Sequence, residues 1–446
     1  MKQLLLDGLP FYEGNGKVSE TVYNAGTAVS EMTREHPKTA WLRTVRTAEP
    51  IADCERYLRS LSEAGYLTVS ERTVGENRYA LLSRADSTVR VSTRISSGEL
   101  RVVSDCTPTL PSEISSQGES GDGAAFYMYG LNMDPGGYNY RLVPEYNTSG
   151  YLNCGMLFVI RASDGSLIVV DGGASVQMAG GAAFTLDRFL HRIAGKGEDE
   201  RVRISAWFVS HTHQDHLCGF FDFLKDRVER YELERLIVNL PDLTGREKVG
   251  CMETLTELSG FLAERYPSCR EYKPHTGDQI TLGDITLEVL YTHEDAANGE
   301  SGLFESENFN DTTTVLRATV GRMRVLLLGD IDCVGEGVLC ETMPKEMLSS
   351  DILQVAHHDF YPIDTAYTYA NAKIACFPQT EAGCVKNDVM IENTSKVTRY
   401  ARHLYYSGDV TKTVGFALRG KRIAEIYRYD REIKAKPLCR VKRSKH

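Results

Sequence analysis

The ten residues Ser210–Gly219, SHTHQDHLCG, set three histidines and an aspartate within six positions: His211, His213, Asp215 and His216. Imidazole nitrogen and carboxylate oxygen are the donors that suit zinc and similar divalent ions. The stretch follows directly on the apolar run Ile204–Val209, which reads as a buried strand. The four side chains therefore sit where the chain turns at a strand end and can converge above a sheet. One histidine in such a loop would mean little. Four candidate ligands at this density point to metal.

Holding such a cluster takes a layered scaffold, and the rest of the chain supplies the pattern for one. Leu157–Ile160 and Leu167–Val170 are short apolar strands joined by an Asp164-Gly165 turn, a hairpin signal. Leu236–Leu240, Ile285–Tyr291, Thr313–Val320, Val325–Leu328 and Ile352–Val355 read as further buried strands, with helices over Met252–Arg265 and Lys345–Leu348. Mixed elements of this length give an α/β (α+β) fold class. Before them, Pro50–Ala64 reads as a helix with Ile51, Tyr57, Leu58 and Leu61 on one face. Tyr66–Thr73, Asn77–Arg84, Thr88–Ile95 and Glu99–Ser104 follow as half-buried antiparallel strands.

A chain of 446 residues exceeds the size at which one core stops growing, so two domains are expected. Residues 1–105 form a small α+β domain of unassigned role. Residues 106–125, rich in Ser, Gly and Pro, read as a linker or mobile loop, and 126–446 as the domain that carries the metal site, ending in a basic, solvated tail.

H-T-H-Q-D-H at 211–216 matches the H-x-H-x-D-H signature of the metallo-β-lactamase superfamily, and other landmarks follow in that family's order. Leu167–Gly173, LIVVDGG, resembles the first motif. Val325–Asp332, VLLLGDID, resembles the motif with the bridging aspartate, here Asp330. Asp351–His358, DILQVAHH, resembles the last motif with its final histidine. The resemblance covers about residues 126–420 and implies an αββα sandwich with the metals at one edge. Within the superfamily, Asn310–Arg317, NDTTTVLR, and the double histidine are similar to the hydrolase domain of bacterial competence channels, the ComEC type. That subgroup continues with Gly-Ser, where this chain has Asp359-Phe360.

The ligands carry their own chemistry. His211 and His213 could hold one ion, and Asp215, His216 and His357 a second, with Asp330 bridging. Two divalent ions about 3.5–4 Å apart lower the pKa of a water and place it beside an electrophilic carbon or phosphorus. Zinc is expected, and manganese or iron suit the same donors. Asp171 either closes a turn before Gly172-Gly173 or, as its family position implies, accepts a ring N–H from a metal-bound imidazole. His357 and His358 are adjacent, so on an extended chain they face opposite ways. His357 is expected in the ligand set by its place in the motif. Asp215 and His358 are the candidate catalytic residues, His358 lining the pocket or giving a proton to the leaving group. A hydrogen-bonded structural histidine is the other reading of His358.

Many superfamily members place another histidine ligand between the first cluster and the bridging aspartate. Here that interval holds His275 and His293. His293 is the possible third ligand beside His211 and His213, against a surface-loop reading. If neither binds, water completes that site. Cys218 reads as a small buried hydrophobe, and Tyr361 and Asn310 as loop residues able to touch substrate. Residues 293–312 read as a pocket lid or a disordered loop.

The expected function is metal-dependent hydrolysis of a phosphodiester in a small molecule or polymer. Hydrolysis of an amide, thioester or lactam is the alternative, and a non-catalytic metal sensor or scaffold is the alternative of another class. A net charge of −10 argues against a dedicated nucleic-acid binder. No apolar run reaches the roughly 18–20 residues that span a bilayer. The N-terminus reads as lacking a signal peptide, and eleven scattered cysteines read as reduced thiols in a cytoplasmic protein.

Overall fold

The computed structural model describes residues 9–23, 40–85, 87–105, 109–118, 123–133, 154–241, 243, 247–296, 308–361, 363–407 and 412–442. Among them are three sheets. The N-terminal one is six-stranded and wholly antiparallel, in the spatial order Lys17–Tyr23, Ala40–Arg46, Glu99–Asp105, Ser87–Arg94, Asn77–Arg84, Leu67–Val74. Helix Pro50–Glu63 crosses it, and Cys54, Tyr57 and Leu61 pack on Leu82, Val89, Val91, Leu100 and Val102. The i, i+3, i+7 spacing of those three puts them on one helical face. Ile51, expected on that face, is 38% exposed in the first turn of the helix.

The other two sheets lie face to face. The first runs Arg270–Tyr272, Arg235–Val238, Val202–Val209, Leu167–Asp171, Leu157–Arg161, Ala125–Met128, Val414–Arg419, Arg422–Arg428, Arg431–Arg440. The second runs His403–Tyr406, Ile374–Phe377, Ile352–Gln354, Met323–Leu327, Val315–Val320, Ile285–Tyr291, Gln279–Gly283, Ser116–Gln117. Alternate residues of each strand face inward. Phe126, Phe158, Ile168, Phe208 and Ile237 of one sheet meet Leu287, Leu316, Val325, Ile352 and Cys376 of the other.

The outward-facing partners are apolar as well, so each outer face needs a helical cover. Val169, Trp207 and Val209 lie under Leu186, Leu190 and Phe220 of helices Ala182–Ala194 and Gln214–Lys225. Leu326, Leu353 and Phe377 lie under Leu339, Tyr367 and Val397 of three helices on the opposite side. Helix, sheet, sheet, helix: the chain is an αββα sandwich, the fold that the family resemblance implied.

Two stretches differ from expectation. The segment expected to be a linker carries a helical turn, Pro111–Ile114, with Ile114 buried in the sandwich core, and Ser116–Gln117 pairs with Gln279–Gly283. The basic tail is an edge strand: Arg431–Arg440 pairs with Arg422–Arg428, and Lys442 Nζ donates to Ala370 O at 2.7 Å. Its lysines and arginines alternate with residues that touch the sheet, so charge marks an exposed edge there and not a free arm.

The N-terminal sheet docks on the sandwich through arginines. Arg90 reaches Asp278 and the Tyr272 hydroxyl, Arg94 reaches Asp295 at 2.7 Å, and Arg72 reaches Glu288 at 3.1 Å. No helix among the described residues is long and apolar enough to cross a membrane.

Candidate metal centre

The site forms at one sheet edge because its strands run parallel in pairs. Leu167–Asp171 lies beside Val202–Val209, and Met323–Leu327 beside Ile352–Gln354. The end of each of the four strands, or the loop after it, carries one part of the cluster: Asp171, then His211–His216, then Asp330, then His357-His358.

Close packing fixes the first two parts. Gly219 N donates to Gly173 O at 2.7 Å. A Cβ on Gly219 would lie 2.6 Å from Gly172 O, and one on Gly172 would lie 2.5 Å from Phe220 Cβ. Glycine at both positions lets helix Gln214–Lys225 rest directly on the Asp171 turn. Asp171 then reaches across. Its Oδ1 accepts from Ser210 N at 2.7 Å, and its Oδ2 lies 3.0 Å from Ser210 Oγ and 2.9 Å from His216 Nδ1. A carboxylate on Nδ1 leaves His216 Nε2 facing the site. Asp171 thus lies against His216 Nδ1, on the ring nitrogen away from Asp330.

Asp330 is the centre of the arrangement. Its Oδ2 lies 3.1 Å from His216 Nε2, 3.3 Å from His358 Nε2, 3.7 Å from His211 Nε2 and 3.9 Å from His357 Nε2. Its Oδ1 is buried and has no hydrogen-bond partner among the described residues. His211 Nε2 and His213 Nδ1 face each other at 3.0 Å. Two donor groups result: His211, His213 and Asp330 on one side, and His216, Asp330 and His358 on the other, each with ligand atoms within 4.8 Å of one another. Asp215 joins the second side, its Oδ2 3.1 Å from His358 Nε2.

The double histidine departs from expectation. His357, His358 and Asp359 all take the left-handed conformation, with φ of 45°, 50° and 69°. The segment is a tight turn, not an extended strand, so the two side chains do not alternate faces. Both rings turn toward the centre, 6.2 Å apart. His358, and not His357, stands with Asp215 and His216. His357 is held at the rim, its Nε2 3.1 Å from Asn310 Nδ2 and its ring stacked on Tyr361 at 4.9 Å. Each left-handed non-glycine costs about 1 kcal/mol or more, and surrounding bonds hold the turn. Asp359 accepts from Asn393 Nδ2 at 2.7 Å and from Thr394 Oγ1 at 2.6 Å, and His357 N donates to Gly329 O at 3.0 Å.

His293 is engaged elsewhere. Its Nε2 lies 2.9 Å from Asn239 Oδ1, beside Glu294, and His275 Nδ1 lies 3.2 Å from Glu294 Oε1. The third donor beside His211 and His213 is Asp330 itself. The stretch expected as a lid begins and ends in short helical turns, His293–Ala296 and Phe309–Thr312, and 297–307 lie outside the described residues. Phe309 sits over the His213 ring at 5.2 Å, and Cys218 turns to Thr254 Oγ1 at 3.8 Å.

Three residues were missed from sequence. Gln354 clamps the turn before Asp330, its Oε1 accepting from Leu328 N and Gly329 N and its Nε2 donating to Gly329 O. Thr313 Oγ1 accepts from Asp330 N at 3.1 Å and lies 3.3 Å from His211 Nδ1. Cys154 Sγ lies 3.9 Å from Asp215 Oδ2. Gln354 falls within the motif Asp351–His358 and could have been weighed as a buried polar residue in an apolar strand. Thr313 lies within the stretch Asn310–Arg317 quoted above, and Cys154 carries no local signal.

The electrostatics call for positive charge. Burial works against a charge on His216, but Asp330, Asp171 and Asp215 outweigh it and hold its pKa up at about 10. Burial opposes charge on His358 too, and Asp330 and Asp215 raise its pKa well above the usual imidazole value. Burial would raise the carboxyls of Asp215 and Asp330, yet His216 and His358 hold both below the usual carboxylate range. Burial lowers His211 and His213, and it lowers His357 to about 4. The three carboxylates Asp171, Asp215 and Asp330 thus favour positive charge at His216 and His358. With the unpartnered Asp330 oxygen and a nitrogen–oxygen donor set, these residues fit divalent ions.

No family model matches the sequence, and no curated protein matches it. Among solved structures, the chain is similar to unliganded yeast PDE1, with a TM-score of 0.38 and 11% identity over 66% of this chain and 100% of that one. It is similar to CmlA, a diiron β-hydroxylase from Streptomyces venezuelae, with a TM-score of 0.34 and 12% identity over 71% and 55%. The flavodiiron protein from Giardia intestinalis gives 0.25 and 14% over 53% and 48%. Similarity of this size adds nothing to the site, whose reading rests on the distances above.

Proposed function

We propose that the chain is a metal-dependent hydrolase with a two-ion centre, acting on a phosphodiester. The observation that carries this reading is Asp330: one oxygen faced by four imidazoles, the other buried and unpartnered. In it, His211, His213 and Asp330 would hold one ion, and Asp215, His216, His358 and Asp330 the other. Bound divalent ions, zinc foremost, supply Lewis-acid polarisation and a water of lowered pKa.

The chain's own residues do the rest. Asp171 holds the His216 ring in the orientation that presents Nε2. Thr313 fixes the Asp330 backbone, and its hydroxyl stands at His211 Nδ1. His357, Asn310 and Tyr361 form the rim. Tyr361 is 45% exposed and flat against His357, a surface on which a planar substrate group can rest. A net charge of −10 favours a small phosphodiester over a nucleic-acid polymer.

The test pairs metal analysis with turnover of bis(4-nitrophenyl) phosphate, a thioester and a lactam. About two ions per chain and phosphodiester turnover are expected. Turnover of the thioester or lactam alone moves the substrate class. Full occupancy with no turnover of any of the three overturns the hydrolase reading in favour of a sensor or scaffold.

A further inference from the structure

Cys154 meets the same centre from a part of the chain outside every motif. Its Sγ, an oxygen of Asp215 and a ring nitrogen of His358 lie within 4.8 Å of one another. The backbone holds it there from three directions. Cys154 bridges Gln379, whose Nε2 donates to His358 O at 3.2 Å. Two residues on, Met156 N donates to Asp215 O at 3.2 Å. Cys154 O accepts from Gln177 Nε2 at 2.6 Å, and Gln177 Oε1 accepts from Ala174 N at 2.9 Å. The cysteine is therefore linked, through Met156 and through Gln379, to the main chain of both residues that its sulfur approaches. Across the same centre, Asp330 Oδ1 is buried and without a partner, an acceptor that a bound cation would satisfy.

We propose that Cys154 is a metal ligand, its thiolate joining Asp215, His216, His358 and Asp330 on the side of the centre away from His213. This rests on the metal-centre reading above. On binding, the S–H bond breaks, the proton leaves to solvent, and the sulfur lone pair forms the bond to the ion. A thiolate is a soft donor, so that side selects zinc or iron over magnesium or manganese. Cys218, whose sulfur turns to Thr254, serves as the control.

Cobalt(II)-loaded protein tests the ligand by its absorption spectrum. Wild type should show visible d–d bands and a near-ultraviolet sulfur-to-cobalt band. Cys154→Ser should keep the first and lose the second, and Cys218→Ser should keep both. Cobalt bound without the sulfur band, or a band that survives Cys154→Ser, overturns the thiolate ligand and leaves the metal centre standing. Protein that binds no cobalt overturns the centre and the ligand together. Zinc-edge X-ray absorption of the wild type needs no variant: sulfur at about 2.3 Å is expected, and nitrogen and oxygen scatterers alone refute the assignment.

Discussion

Among the described residues, Glu294 and Asp330 are buried carboxylates that face histidines, and they are satisfied in opposite ways. Glu294 lies between His275, His293 and Lys273, accepts from Asn239 Nδ2 at 2.9–3.0 Å, and takes the Thr292 hydroxyl as well. Burial would raise its carboxyl, but His275, His293 and Lys273 hold it well below the usual range. A permanent cation and several donors satisfy it from within the chain. Asp330 has neither lysine nor arginine at hand among its ion-pair partners. Imidazoles alone face one of its oxygens, and the other has no partner. A buried carboxylate without a fixed cation is costly unless a cation arrives from outside. Histidine near a buried acid is thus not the mark of a metal site; the missing permanent charge is.

That contrast can be broken from either side. Asp330→Ala should have the largest effect, with metal content falling from about two ions per chain toward none and turnover falling about a thousand-fold or more. A variant that retains two ions would remove Asp330 as the shared ligand. Glu294→Gln should instead leave metal content unchanged and cost about 1–3 kcal/mol of stability, because the ion pair with Lys273 and the charge-assisted hydrogen bonds from Asn239 are weakened in a buried site. The urea midpoint reads this, and a fall in bound metal would erase the distinction between the two clusters. Asp171→Asn should keep the fold and weaken metal affinity about 10–100-fold, since the amide can no longer hold His216 as a carboxylate does. Competition with a chelator measures it.

The pH dependence follows from His216, raised to about 10 against an ordinary 6.5 by the carboxylates around it. Such a raised group stabilises the metal-free fold fully below its unfolded pKa, and the contribution fades as pH rises through about 10. A cation must displace that proton. Apparent affinity should therefore rise about ten-fold per pH unit for each proton displaced across this window, and fall toward acid. Affinity independent of pH between about 6 and 8 contradicts the assignment. The smallest effect on the centre belongs to His293→Ala: unchanged metal content, with a loss of stability that includes the buried hydrogen bonds to Asn239 and to the Leu240 backbone. Loss of an ion in that variant would return His293 to the ligand set.

Legibility divided along sequence distance. His211, His213, Asp215 and His216 could be read together because they lie within one turn of chain after one strand. The hairpin 157–171 and helix Met252–Arg265 were legible for the same reason, as local patterns with local signals. Asp330 entered through its resemblance to a motif, not through any feature of its own neighbourhood. The strands Lys17–Tyr23 and Arg431–Arg440 were not read, being rich in charged and polar residues with few large apolar ones.

The sequence by itself determined the donor cluster, the strand ends that carry it and a layered α/β pattern, since each depends on contiguous periodicity or on a contiguous motif; the four-layer arrangement came only as what the family resemblance implied. Tertiary structure alone decided which histidine of the pair joins Asp215, that His293 belongs to Glu294, and that Cys154 stands at the centre. Those choices turn on the handedness of one turn, the packing of one carboxylate and one backbone bridge to Gln379. Each is a contact between distant segments, and nothing in the residues on either side encodes it.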